Sequence, residues 1–77
     1  MRFNMLLTDN FASFIDEKTG TAVFVDSFDN KEFEVRIGTI DDTKAAGAIQ
    51  ASSNEELNGK LAELLRIHQA MIIHQVN

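Results

Sequence analysis

Cysteine is absent from the 77 residues, and so are proline, tryptophan and tyrosine. Without cysteine there are no disulfides, no thiolate metal sites and no cysteine nucleophile. Without proline there is no Pro-rich linker and no native cis-proline turn. Interface hot spots commonly lean on Trp, Tyr and Arg, so an interface here must draw on Phe, Met, Leu and Ile. A basic cluster is also missing. Twelve Asp and Glu stand against seven Lys and Arg, for a net charge of −5, and the cations are scattered from Arg2 to Arg66. This balance argues against direct nucleic-acid binding, which needs a basic stripe. No segment approaches the ~18 apolar residues of a membrane span, and MRFNMLLTDNF is too short an apolar run for a signal peptide. The expectation is a soluble cytoplasmic chain.

A domain of this length buries only roughly 60% of the surface exposed by its unfolded chain. Disulfides are excluded, and two histidines alone cannot close a structural zinc site. Oligomerisation is the remaining common support for a thin core.

Hydrophobic residues nevertheless make up 44% of the chain. In FASFIDEKTGTAVFVDSF, the segment Asp16-Glu17-Lys18-Thr19-Gly20 has the chemistry of a hairpin connection, with glycine where the backbone turns left-handed. Its flanks are rich in β-branched and aromatic residues, as strands are. A second turn is predicted at Asp29-Asn30, since both types tolerate left-handed angles. KEFEVRIG then alternates, with Phe33, Val35 and Ile37 on one face and Glu32, Glu34 and Arg36 on the other. Met1 to Leu7 is a candidate additional strand. Residues 39–51 allow two readings. Asp41-Asp42-Thr43 has the chemistry to cap a short Ala-rich helix; alternatively Ala45 to Ala51 is a strand with a bulge at Gly47, the reading preferred here.

Ser53 followed by Glu56 is a capping box, and Glu55 and Glu56 suit the positive end of a helix dipole. A helix is expected from about Asn54 to about Gln75. At about 100° per residue, Leu57, Leu61, Leu64, His68, Met71, Ile72 and Gln75 form its apolar stripe, widened by Leu65, Val76 and Ile67. The predicted architecture is α+β: an antiparallel β-meander of three to five strands packed against one long C-terminal helix. It is expected as a single small domain over residues 1–77, β-rich over about 1–52 and helical over about 54–75.

The candidate sites are few. His68 and His74 are six apart, whereas metal ligands on one helix favour spacings of three or four. His68 is read as a buried or half-buried neutral histidine, and His74 as an exposed one. Asp41-Asp42 is read as a turn pair and not as acid–base machinery. GTIDDTKA lacks the final glycine and the hydroxyl of a phosphate loop. The acids around Asp29 lack the central glycine of a calcium loop. No catalytic constellation, cofactor site or metal site emerges.

Met71-Ile72-Ile73 places apolar groups on more than one side of a helical turn, which implies burial on more than one side. Ile67, Met71, Ile73 and Val76 are the candidate subunit contact. The first functional expectation is a protein-interaction module (adaptor, inhibitor or accessory factor), dimeric and binding an unidentified second protein. A second is a small-ligand binder with a pocket between sheet and helix or at a dimer seam, where His68, Gln75 and Arg66 are the nearest polar groups. A third is an acidic mimic of a nucleic-acid backbone presenting Asp26, Glu32 and Glu34. In composition the chain is of a kind with accessory proteins of phages and other mobile elements, though no motif carries that likeness.

Overall fold

The computed structural model describes the backbone of residues 1–76 and the side chains of residues 1–70. Four strands, β1 (Phe11–Asp16), β2 (Thr21–Ser27), β3 (Glu32–Thr39) and β4 (Asp42–Gln50), precede one helix, α1 (Asn54–Val76). The strands form an antiparallel meander in the order β1-β2-β3-β4. The expected α+β architecture is therefore present.

Both anticipated turns are made by the expected residues. Gly20 sits at φ +76° and donates its N–H to the Asp16 carbonyl at 2.8 Å. Asn30 sits at φ +59°, in the region Asn tolerates better than most side-chain-bearing residues. Residues 42–50 are strand throughout, so the short capped helix is excluded there. Val35 pairs with Gly47 and Arg36 with Ala45, leaving Ala46 as the extra residue of a bulge. Gly47 carries φ +146°, which L side chains rarely adopt. The bulge interrupts an edge strand, a common way to blunt its unpaired backbone groups.

One face of the sheet carries Val23, Val25, Phe33, Val35, Ile37 and Ile49, all buried. Alternation put them there: Val23 pairs with Ile37, Val25 with Val35 and Ser27 with Phe33. Helix α1 covers this face with Leu57, Leu61 and Leu65. The buried line thus follows an i,i+4 row whose three residues all belong to the apolar stripe expected from the sequence or to its widened edge. Leu64 and His68 are only half-buried, and Ile67 is exposed. The core face has a second occupant beside the helix.

That occupant is the N-terminal segment. It is not a strand, contrary to the reading of Met1 to Leu7 as one. It does alternate, with Phe3 and Leu7 partly buried and Met5 only 1% exposed. Its backbone, however, is held by side-chain amides and not by a neighbouring strand. The Met5 N–H donates to Asn58 Oδ1 at 2.8 Å, and Asn58 Nδ2 donates back to the Met5 carbonyl at 2.9 Å. The Leu7 N–H donates to Asn54 Oδ1, and Asn30 Nδ2 donates to the Leu7 carbonyl, each at 2.8 Å. Phe3 packs edge-on against Phe14 of β1, with ring centroids 4.8 Å apart.

Asn58→Ala should release this strap. Leaving the Met5 peptide groups unmatched should lower stability by about 1–3 kcal/mol. Urea unfolding measures the loss, and hydrogen exchange should show it at Met5 and Leu7 before the β2–β3 amides.

Candidate protein-docking surface

No helix or strap covers the opposite face of the sheet among the described residues, although Ala22 within it is buried by its neighbours. Strand pairing lays it out as rows. One row runs Phe11, Asp26, Glu34, Ala48; the next runs Ser13, Phe24, Arg36, Ala45; a third begins Ile15, Ala22, Gly38. Strand β1 is therefore apolar on both sides. Ala12 and Phe14 face the core, while Phe11 and Ile15 face outward at 55% and 47% exposure.

Phe11 stacks on Phe24 with centroids 6.4 Å apart. The Arg36 guanidinium lies 5.8 Å from the Phe24 ring centroid and 3.4 Å from an Asp26 carboxylate oxygen. Both partners of that ion pair are about half exposed, so it contributes little to stability. It does orient a cation over an aromatic ring.

Toward the β2–β3 turn this face opens into a recess of about 540 Å³, lined by Asn10, Asp26, Ser27, Phe28, Asp29, Glu32 and Glu34. Phe28 stands fully in solvent at its rim. The turn beneath is rigidly bonded. Buried Ser27 donates through Oγ to the Glu32 carbonyl and accepts from the Asn30 N–H, each at 2.8 Å. Asp29 Oδ1 accepts the N–H groups of Lys31 and Glu32, each at 2.9 Å. These two bonds, the Glu32 one foremost, hold the Asp29 carboxyl below its ordinary value.

The anticipated acidic group of Asp26, Glu32 and Glu34 is thus brought together around one recess. Asp29, which the sequence groups with Asp26 and Glu32 around the turn, joins it. Phe11, Ile15, Phe24 and Phe28 were not singled out as surface residues. The signal for two of them is present in FASFID, where apolar residues occupy both parities of a strand.

The polar candidates on the helix do not converge. His68 is half-buried, whereas Arg66 is exposed and ion-paired with Glu63 one turn earlier. That pairing lowers the Glu63 carboxyl and raises the Arg66 guanidinium from their ordinary values. Gln75 and His74 lie outside the residues whose side chains are described, as do Met71, Ile73 and Val76 of the candidate subunit contact. Ile67 is 42% exposed beside a recess formed by Ala48, Ile49, Lys60 and Leu64.

Between sheet and helix the space is filled by Met5, Val25, Phe33, Val35, Leu57 and Leu61. Among the described residues, no group of three or more His, Cys, Asp or Glu is placed to hold a metal ion. No helix among them is long and apolar enough to cross a membrane. Compared with family models, curated proteins and solved structures, the chain matches none.

The capping box differs in one detail from its expected form. Ser53 Oγ accepts the Glu56 N–H at 3.0 Å, but the Glu56 carboxylate reaches back to the Ser52 N–H at 2.6 Å. That bond, with the Ser52 hydroxyl and Lys60, lowers the Glu56 carboxyl from its ordinary 4.5. Glu56 and Asp29 are both more acidic in the fold than in the open chain. Their stabilisation is complete above their ordinary values and vanishes as pH falls through the lowered ones. Acidification below about pH 4 should therefore loosen the helix start and the β2–β3 turn. Protection of the Ser52, Lys31 and Glu32 amides, relative to intrinsic exchange at the same pH, should fall first, and Glu56→Gln should weaken the pH dependence at Ser52 alone.

Proposed function

We propose that this chain acts by binding another protein through the open face of its sheet, as an adaptor, inhibitor or accessory factor. The carrying observation is the outward patch of Phe11, Phe24 and Ile15, drawn from adjacent rows of a face that no helix or strap of the described chain covers. Such a two-sided apolar edge strand is unneeded for the core. Its inner side already packs, through Ala12 and Phe14. Interfaces commonly combine an aromatic centre with a polar rim, and here Asp26, Glu32, Glu34 and Arg36 supply that rim.

Phe11→Ser combined with Ile15→Thr should preserve the fold, since both side chains point away from the core. Urea unfolding should change little, whereas a partner captured from the native host by the wild-type chain should be lost. Retention of every captured protein by the variant would count against this face.

A second reading, self-association, is favoured by Ile67. Its exposure beside Leu64, Ile49 and Ala48 leaves an apolar strip, edged by Gln50, Lys60 and Glu63, in a shallow recess between helix and β4, a surface on which a two-fold copy could pack. Size exclusion with light scattering should then report a dimer that Ile67→Asp converts to monomer. A wild-type monomer at high micromolar concentration would overturn the dimer.

A further inference from the structure

We propose that the open face docks a basic amphipathic segment of its partner, with an apolar side chain on Phe11 and Ile15 and a Lys or Arg in the recess beside Glu32 and Glu34. This deepens the protein-binding reading above and rests on it.

The apolar half of the face requires an occupant, and the charged half selects its chemistry. Three carboxylates on the face, Asp26, Glu32 and Glu34, stand against one guanidinium, Arg36. A second copy of the same face meets like charge, and so does an anionic lipid surface or a nucleic acid. Asp26 is engaged by Arg36, and the Asp29 carboxylate is bound to backbone N–H groups. Lys31 flanks Asp29 in the same turn. Glu32 and Glu34 have no ion-pair partner among the described residues.

The face already contains an example of what it would accept. Arg36 sits between an aromatic ring and a carboxylate, at 5.8 Å and 3.4 Å. The recess offers the same kinds of group without an internal cation, since Glu32, Glu34 and the exposed Phe28 all line it. A cation entering there gains charge pairing and a ring face together. Phe11 is the cross-strand neighbour of Asp26, which in turn faces Glu34. The apolar and acidic halves are thus adjacent, and the occupant must carry both kinds of group close together. Adding a strand at β4 is disfavoured by its bulge.

The test is selection of a random twelve-residue peptide library on the immobilised chain, with counter-selection on the folded Phe11→Ser/Ile15→Thr variant. Enriched peptides should combine Lys or Arg with large apolar residues. Their affinity should fall by roughly tenfold or more with Glu32→Gln/Glu34→Gln, and should weaken with salt. Circular dichroism and urea unfolding confirm that each variant is folded. Enrichment of neutral or acidic peptides that depend on Phe11 and Ile15 would overturn the basic occupant while leaving the protein-binding reading intact. Failure to enrich any peptide that discriminates wild type from the variant would overturn both.

Discussion

The fold depends on how its core face is covered. Four strands about 4.8 Å apart present a face roughly 15 Å across, wider than the ~10 Å body of one helix. Helix α1 lies closest to β4, so the β1 side needs another cover. The N-terminal strap supplies it, and Asn58 fastens strap to helix. A buried peptide group without a partner is costly, and a strap has no strand beside it to supply one. The Asn58 amide supplies both partners, accepting from the Met5 N–H and donating to its carbonyl. Asn54, one turn earlier, extends the arrangement to Leu7. Two side chains on a helix thereby do the work of a ladder.

The same bonding fixes the far end of the sheet. Asn30, at the β2–β3 turn, donates to the Leu7 and Asp9 carbonyls, and Asn10 donates to the Ser27 carbonyl and Asn30 Oδ1. The left-handed backbone of Asn30 thus belongs to the docking of the strap as well as to the hairpin. It also sets where Phe28, Asp29 and Glu32 stand. The turn that carries the acidic recess is thus hydrogen-bonded to residues 7–10 of the strap.

Sequence patterns that depend on one element were legible. The parity of KEFEVRIG put Phe33, Val35 and Ile37 in the core, and Gly20 and Asn30 marked their turns by residue chemistry alone. Ser53 marked the start of the helix. What could not be read depended on contacts between distant segments. Phe3, Met5 and Leu7 alternate as a strand would, and nothing local says that Asn54 and Asn58 will replace the missing neighbour. The helix stripe was legible in Leu57, Leu61 and Leu65. Only the fold shows that Leu65 is buried more fully than Leu64 and His68, on the side where Asn54 and Asn58 hold the strap. Of the surface, the acids were visible as charge; their gathering around one recess required strand register. The outward apolar patch was signalled only by the double parity of β1, and Phe24 joins it through strand register.

That double parity separates structural need from surplus. A sheet with one buried face satisfies its core with alternate residues, and a polar outer set is the usual complement. Strand β3 follows this rule, with Glu32, Glu34 and Arg36 outward. Strand β1 does not, and its departure is local: Phe11 and Ile15 sit on an edge strand where exposed apolar groups invite unwanted pairing. The strap cannot account for them, since it lies on the other side of the sheet. Nor can the helix, for the same reason. The acids beside them set like charge against like in any contact between two copies of this face. If the face docks a partner as proposed, apolar attraction and charge selection would act through the same few residues, and together they would give a specificity that either one alone would lack.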